Sequence, residues 1–223
     1  VSLLILLALS RLLPPIAGND PVPLRAQLRV ARGPVIASGF VLSFMLCAGN
    51  SLLLTYLTAY LDNVLSLDTA GIGAAMFALG VFSMIGSRAG GYGVDRWGDE
   101  RTIAITALLS AAALAVLPAV DPAPIAGLAL LAVWMFSLFA TAPALQAYFI
   151  RQASGSADFV LGFNTSVIHL GTAAGAAAGG TLEHAASTVS HHPLFSCVAY
   201  AFALAAAFLS FALRRRKARS RTG

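Results

Sequence analysis

Six stretches of this chain, 34–61, 69–87, 102–120, 123–150, 159–182 and 193–213, contain no Asp, Glu, Lys or Arg. Each runs for about 19 residues or more, and a helix rising about 1.5 Å per residue needs roughly 20 to cross a ~30 Å hydrocarbon core. Charged residues make up 10% of the chain and hydrophobic ones 58%, against about 25% charged in ordinary soluble domains. The runs therefore read as membrane spans. The expected fold class is an all-α membrane protein built as a six-transmembrane-helix bundle.

The charges between the runs set the orientation. All 14 Lys and Arg residues fall on one side: Arg11, then Arg25, Arg29 and Arg32, then Arg88, Arg96 and Arg101, then Arg151, and last Arg214, Arg215, Arg216, Lys217, Arg219 and Arg221. The opposite connectors, 62–68, 121–122 and 183–192, carry Asp62, Asp68, Asp121 and Glu183 with three histidines, and no Lys or Arg. By the positive-inside rule the basic side, and with it the carboxy terminus, is cytoplasmic. A pI near 9.8 does not imply nucleic acid here, because the cations are spread over separate membrane-flanking segments rather than one binding face. Their expected partner is the lipid bilayer, whose anionic headgroups suit the RRRKARSR tail. Cys47 and Cys197 lie inside spans, which argues against a disulfide framework.

Residues 1–13 are apolar apart from Ser2, Ser10 and Arg11, and too short to cross a bilayer. A signal peptide would carry cations ahead of its apolar stretch, whereas Arg11 follows it, so the segment reads as the end of a truncated transmembrane helix. Residues 14–33 read as a cytoplasmic linker. Pro14, Pro15, Pro21 and Pro23 prevent a continuous helix there. The following LRAQLRVAR places Leu24, Leu28 and Ala31 on one face, as in a short helix lying on a membrane surface. The bundle then occupies 34–213 and a basic tail 214–223. Short connectors predict that sequential helices are antiparallel neighbours.

After the second span comes GGYGVDRWGDER, from Gly90 to Arg101. It resembles the G-x-L-A-D-R-x-G-R-R loop of the major facilitator superfamily, found after the second helix of each six-helix half. Gly91, Asp95, Arg96 and Gly98 match. Gly93 replaces a large aliphatic residue, and Asp99 and Glu100 stand where basic residues are usual, with Arg101 restoring one cation. The stretch from Asn50 to Gly98 is similar to helices seven and eight of arabinose-efflux-permease-like and drug:proton antiporter members. Ala142 to Gln146 and Asn164 to Gly180 are similar to helices ten and eleven.

The resemblance implies the carboxy-terminal half of a twelve-helix transporter, lacking an amino-terminal six-helix half. It also implies a bacterial inner membrane and the export of small organic solutes, such as drugs, sugars or amino acids, in exchange for protons, with no cofactor. Within the loop it implies a conformational latch formed by Gly91, Asp95, Arg96, Gly98 and Arg101. The chemistry suits that role: glycines let helix ends approach, Asp95 can accept from a helix N-terminus, and Arg96 can pair across the bundle while that side is shut. A D-R-x-G turn that merely caps two helices is the plainer alternative.

Lipid offers no hydrogen-bond partners, so polar side chains within spans face other helices or a cavity. Asn50, Gln146, Asn164 and His169 are the candidates for a substrate cavity. His169 is the lone ionisable side chain in the six runs apart from cysteine and tyrosine, so it is read either as a substrate or proton group or as a neutral ring bonded to a facing helix. Tyr56 is open to stacking on a substrate; Tyr60 is expected in the interfacial aromatic belt. Gly171, Gly175 and Gly179, with Gly86 and Gly90, form small-residue stripes expected to let helix backbones touch. Pro143 is expected to kink its helix. Glu183, His184, His191 and His192 lack tight ligand spacing and read as a solvated loop, with no metal site.

An intramembrane enzyme would need a nucleophile and base, or several ligands, converging on one point, and His169 has no second acid or histidine beside it. No phosphate-cradling G-x-x-x-x-G-K-[ST] loop is present, which speaks against ATP-driven transport. The sequence therefore predicts a secondary transporter; the alternative is a non-transporting remnant or assembly partner.

Overall fold

The computed structural model describes residues 23–120, 123–153, 155–186 and 188–219. The segment 1–13, most of the linker and the last four residues lie outside them. The described residues form helices α1 (Leu24–Ala31), α2 (Pro34–Leu54), α3 (Leu57–Asn63), α4 (Thr69–Trp97), α5 (Asp99–Val116, continued by a 3-10 turn to Val120), α6 (Pro124–Gln152), α7 (Ala157–Ala186) and α8 (His192–Arg219). Local chemistry explains the starts. Pro34 and Pro124 open α2 and α6, where a missing N–H costs nothing. Asp68 caps α4 by accepting from the Gly71 amide at 2.9 Å. Gly98, at φ 86°, ends α4 and starts α5, a backbone shape that only glycine adopts cheaply.

Two expectations about the spans change. The run 34–61 is not one helix, because it breaks at Thr55 and Tyr56 before resuming as α3. No proline or glycine stands at the break. The Tyr56 amide instead bonds one residue short, to the Leu53 carbonyl at 3.0 Å, and the Tyr56 hydroxyl donates to the Ala176 carbonyl of α7 at 3.1 Å. Pro143, by contrast, sits inside a continuous α6. Further, among the described residues five stretches are both long and apolar enough to cross a membrane: Pro34–Leu54, Thr69–Trp97, Asp99–Val120, Pro124–Gln152 and His192–Arg216. The sixth expected span, within α7, is 30 residues long but is diluted by Asn164, Thr165, Ser166, His169 and its glycines.

The order of packing also differs from the sequential order expected. The most extensive interfaces are α4 with α6, α2 with α8, α2 with α7, and α5 with α6; α7 and α8, although consecutive, barely touch. Two of these pairs run parallel, as their glycines reveal. A Cβ on Gly171 would lie 2.6 Å from the Phe44 carbonyl oxygen, one on Gly175 would fall on the Ala48 carbonyl, and one on Gly179 would lie 3.0 Å from that of Leu52. In the other pair Gly86 and Gly90 lie on the carbonyls of Phe136 and Ala140 in the same way. Numbers rise together by four, so each seam is a stack of backbone contacts repeated once per turn. In a solvent as apolar as leucine, such close packing is what holds helices together.

Polar clasps join the remaining pairs. Tyr200 of α8 donates to Asn50 Oδ1 of α2 at 2.5 Å, and Thr141 of α6 to Thr106 of α5 at 2.8 Å. Ser210 links three helices: it donates to the Val35 carbonyl at 3.0 Å, accepts from Ser38 at 2.8 Å and pairs with the Tyr148 hydroxyl at 2.6 Å. Neighbours therefore run α7, α2, α8, α5, α6, α4. A thin α6–α7 contact turns this row back towards itself and leaves a recess between α2, α6 and α7.

Candidate functional site: an interhelical cavity and a charged turn

The recess holds a cavity of about 190 Å³ whose polar lining includes Asn50 of α2, Thr141 and Gln146 of α6, Asn164 of α7 and the Tyr200 ring of α8. It adjoins a second hollow of about 310 Å³ that shares Cys47, Asn50 and Leu138. Three of the four sequence candidates thus converge. Asn50 has its carbonyl oxygen occupied by Tyr200, which leaves its amide N–H groups for another partner. Thr141 is satisfied by Thr106 and by the Ser137 carbonyl. Asn164 differs: it is 4% exposed, and its Oδ1 has no hydrogen-bond partner. A buried acceptor left unpaired costs about 1–3 kcal/mol, so it is a group waiting for a donor.

His169 is exposed and stands outside this lining. With Thr165 and Thr172 it forms one stripe of α7, and both threonine hydroxyls turn back onto their own helix, to the carbonyls of Leu161 and Ile168 at 3.0 and 2.9 Å. The stripe explains why α7 is less apolar than its neighbours. A face of Thr165, Ser166, His169 and Thr172 suits water or protein better than lipid.

In the charged turn, the glycines and the charges separate. Gly98 provides the positive φ, and a Cβ on Gly93 would come within 3.1 Å of the Thr102 side chain, which accounts for glycine where a large aliphatic residue is usual. Gly91, Asp95 and Arg96 lie on the side of α4 away from α6, with Asp95 and Arg96 exposed. Neither charge has an ion-pair partner among the described residues. Asp99 and Glu100 carry the pairing instead. Asp99, 3% exposed, meets Arg214 at 3.3 Å and Arg151 at 3.6 Å; Glu100 meets Arg214 at 3.1 Å and Arg215 at 3.5 Å. Sequence reading missed this network, whose signal was the pair of acids standing where cations were expected. The basic residues from Arg214 continue α8 as far as Arg219.

At the opposite end, two more expectations fail. His192 is completely buried rather than solvated: Nδ1 lies 3.0 Å from the Val189 carbonyl, Nε2 lies 3.1 Å from that of Gly179, and the ring packs against Tyr56 at 4.9 Å. Tyr60 is likewise completely buried rather than in an interfacial belt.

With this geometry in hand, comparison with known proteins is decisive. The sequence matches the family model of the Major Facilitator Superfamily over residues 1–176 and 39–222. The chain belongs to this superfamily. It is 30% identical over 178 residues to the uncharacterized MFS-type transporter YbcL of Bacillus subtilis, covering 80% of this chain and 46% of YbcL. It is 27% identical over 194 residues to the inner membrane transport protein YdhP of Escherichia coli K12, covering 87% of this chain and 49% of YdhP. Among solved structures, the superfamily transporter FucP in its outward conformation superposes with a TM-score of 0.76 at 18% identity, over 93% of this chain and 51% of FucP. A second FucP structure, described as the E. coli fucose:proton symporter, gives 0.77 at 17% identity. At such identity the likeness shows the fold alone. The chain spans about half the length of these relatives, and its bundle is half of the superfamily fold. It is an integral membrane protein of a transporter family.

Proposed function

We propose that the intact protein is a secondary transporter that exports a small organic solute by alternating access, with proton entry as the driving reaction. The cavity between α2, α6 and α7 is one wall of the solute site. Asn164 carries this reading, since it lines a space that Asn50 and Gln146 also border and keeps a buried side-chain oxygen without a hydrogen-bond partner. The other wall comes from an amino-terminal six-helix half, towards which the polar stripe of α7 and the bare face of α4 would turn. Asp95 and Arg96 find their latch partners there too, with Gly91, Gly98 and Arg101 shaping the turn that presents them. The basic side is cytoplasmic and the membrane is the bacterial inner membrane. The charge-free spans put any carboxylate that carries the proton in that other half. His169 is exposed on the stripe where the halves would meet, a position suited to handing protons across.

The test is proton-driven uptake of a panel of labelled drugs, sugars and amino acids into inverted vesicles containing the full-length protein, with Asn164→Ala beside the wild type. A transported compound should show a KM raised at least tenfold in the variant, with no loss of thermal stability, because the removed oxygen is an unpaired buried acceptor. Equal KM values would remove Asn164 from the solute site. Uptake that persists after the proton gradient is collapsed would remove the coupling.

A further inference from the structure

On the basic face, between the start of α5 and the end of α8, lie two continuous grooves of opposite character. The first, about 460 Å³, is bounded by Trp97, Arg101, Arg214 and Arg215 around the paired acids Asp99 and Glu100. The second, about 340 Å³, shares Glu100, Arg101 and Arg215 with the first and continues along Ala104, Phe208 and Ala212. Polar surface thus gives way to apolar surface along one track, with arginines at the junction.

The charges do not balance. Three guanidinium groups, those of Arg151, Arg214 and Arg215, meet two carboxylates, and a fourth arginine, Arg101, lines both grooves. Arg101 is exposed and has no carboxylate partner among the described residues. The Arg215 side chain is 76% exposed and uses one nitrogen, Nη2, on Glu100. Trp97, 49% exposed beside them, is the aromatic type found at the headgroup level of a bilayer. Phe208, about two turns back along α8 and 61% exposed, points the track towards the hydrocarbon.

We propose that this double groove is a binding site for one anionic phospholipid. Its phosphate sits between Arg101 and Arg215, and one acyl chain runs over Ala104, Ala212 and Phe208. The excess of cations selects an anionic headgroup over a zwitterionic one, and the apolar groove selects a lipid over a free phosphate. Bound there, the lipid spans α5 and α8 on the same face as the Asp99–Arg214 pair and holds those helix ends together.

The experiment is native mass spectrometry of the full-length protein titrated with phosphatidylglycerol, with phosphatidylcholine and inorganic phosphate as separate probes. The wild type should retain one tightly bound phosphatidylglycerol that neither of the other two displaces. Arg101→Gln and Arg215→Gln should each weaken that binding about fivefold, while Arg29→Gln, the same charge change on α1, should not. Ala212→Trp, which fills the apolar groove and leaves every charge in place, should weaken it as well. Equal phosphatidylglycerol affinity in wild type, Arg101→Gln and Arg215→Gln would overturn the proposal. So would displacement by inorganic phosphate, or an unchanged affinity in Ala212→Trp.

Discussion

The two parallel seams of the bundle, α2–α7 and α4–α6, use the same device and are finished differently. In both, glycines spaced four residues apart rest on backbone carbonyls of the partner helix. The α4–α6 seam has two such contacts, and the opposite face of α4 is bare: a Cβ on Gly73, Gly80 or Gly91 would touch nothing. The α2–α7 seam has a third glycine contact, borders the cavity and is clasped at its far end. There the Tyr56 ring lies against Gly179 and Gly180, its hydroxyl bonds to α7, and His192 bridges from α8 to the Gly179 carbonyl. One seam joins two unbroken helices. The other joins a rod to a helix already broken in two, which places the interruption beside the cavity, where a transporter needs its wall to change shape.

That contrast can be broken most severely at the glycines. Gly175→Ala drives a methyl group into the Ala48 carbonyl, and since backbone cannot step aside the expected cost is about 3 kcal/mol. Gly80→Ala should be neutral or stabilise by about 0.5 kcal/mol through helix propensity. Thermal unfolding in detergent checks both, and equal losses would mean that the seams do not rest on backbone contact.

A smaller effect should distinguish the clasp from the seam. His192→Ala leaves the Gly179 and Val189 carbonyls without the ring and opens a hole beside Tyr56, for an expected loss of about 2 kcal/mol. The loss should be unaffected by salt, because no ion pair is involved. A stability change that shrinks in high salt would contradict this account of the buried ring. Smallest is Tyr56→Phe, which removes one hydrogen bond, about 1 kcal/mol, and keeps the ring. It should raise hydrogen exchange at Thr55 and Tyr56 more than anywhere in α4. Uniform exchange would detach the break from the Ala176 contact.

The sequence was most readable where a single residue type decides the outcome. Charge-free length announced the spans, and glycines at every fourth position announced the seams, because the physics of each is local. Asn50, Gln146 and Asn164 could be singled out because amides inside spans need protein or water around them. Their meeting point could not be read, since it depends on α2, α6 and α7 being neighbours across long gaps in sequence. The same limit hid the break at Tyr56, whose hydroxyl bonds a carbonyl 120 residues away, and the pairing of Asp99 with Arg214 across 115 residues. His169 shows the converse: it is conspicuous as a residue type but lies off the cavity, because helix rotation decides which side of α7 it occupies.

The claim on which most depends is that α2, α6 and α7 wall a space open to water and not a surface covered by lipid. Gln146→Cys tests it, in full-length protein with Cys47→Ser and Cys197→Ser, using a water-soluble maleimide on membranes and Phe208→Cys as the lipid-facing reference. The account predicts that position 146 is labelled much faster than position 208, and that adding Asn164→Trp to fill the cavity slows it. Labelling at 146 as slow as at 208, or unaffected by the tryptophan, would contradict it.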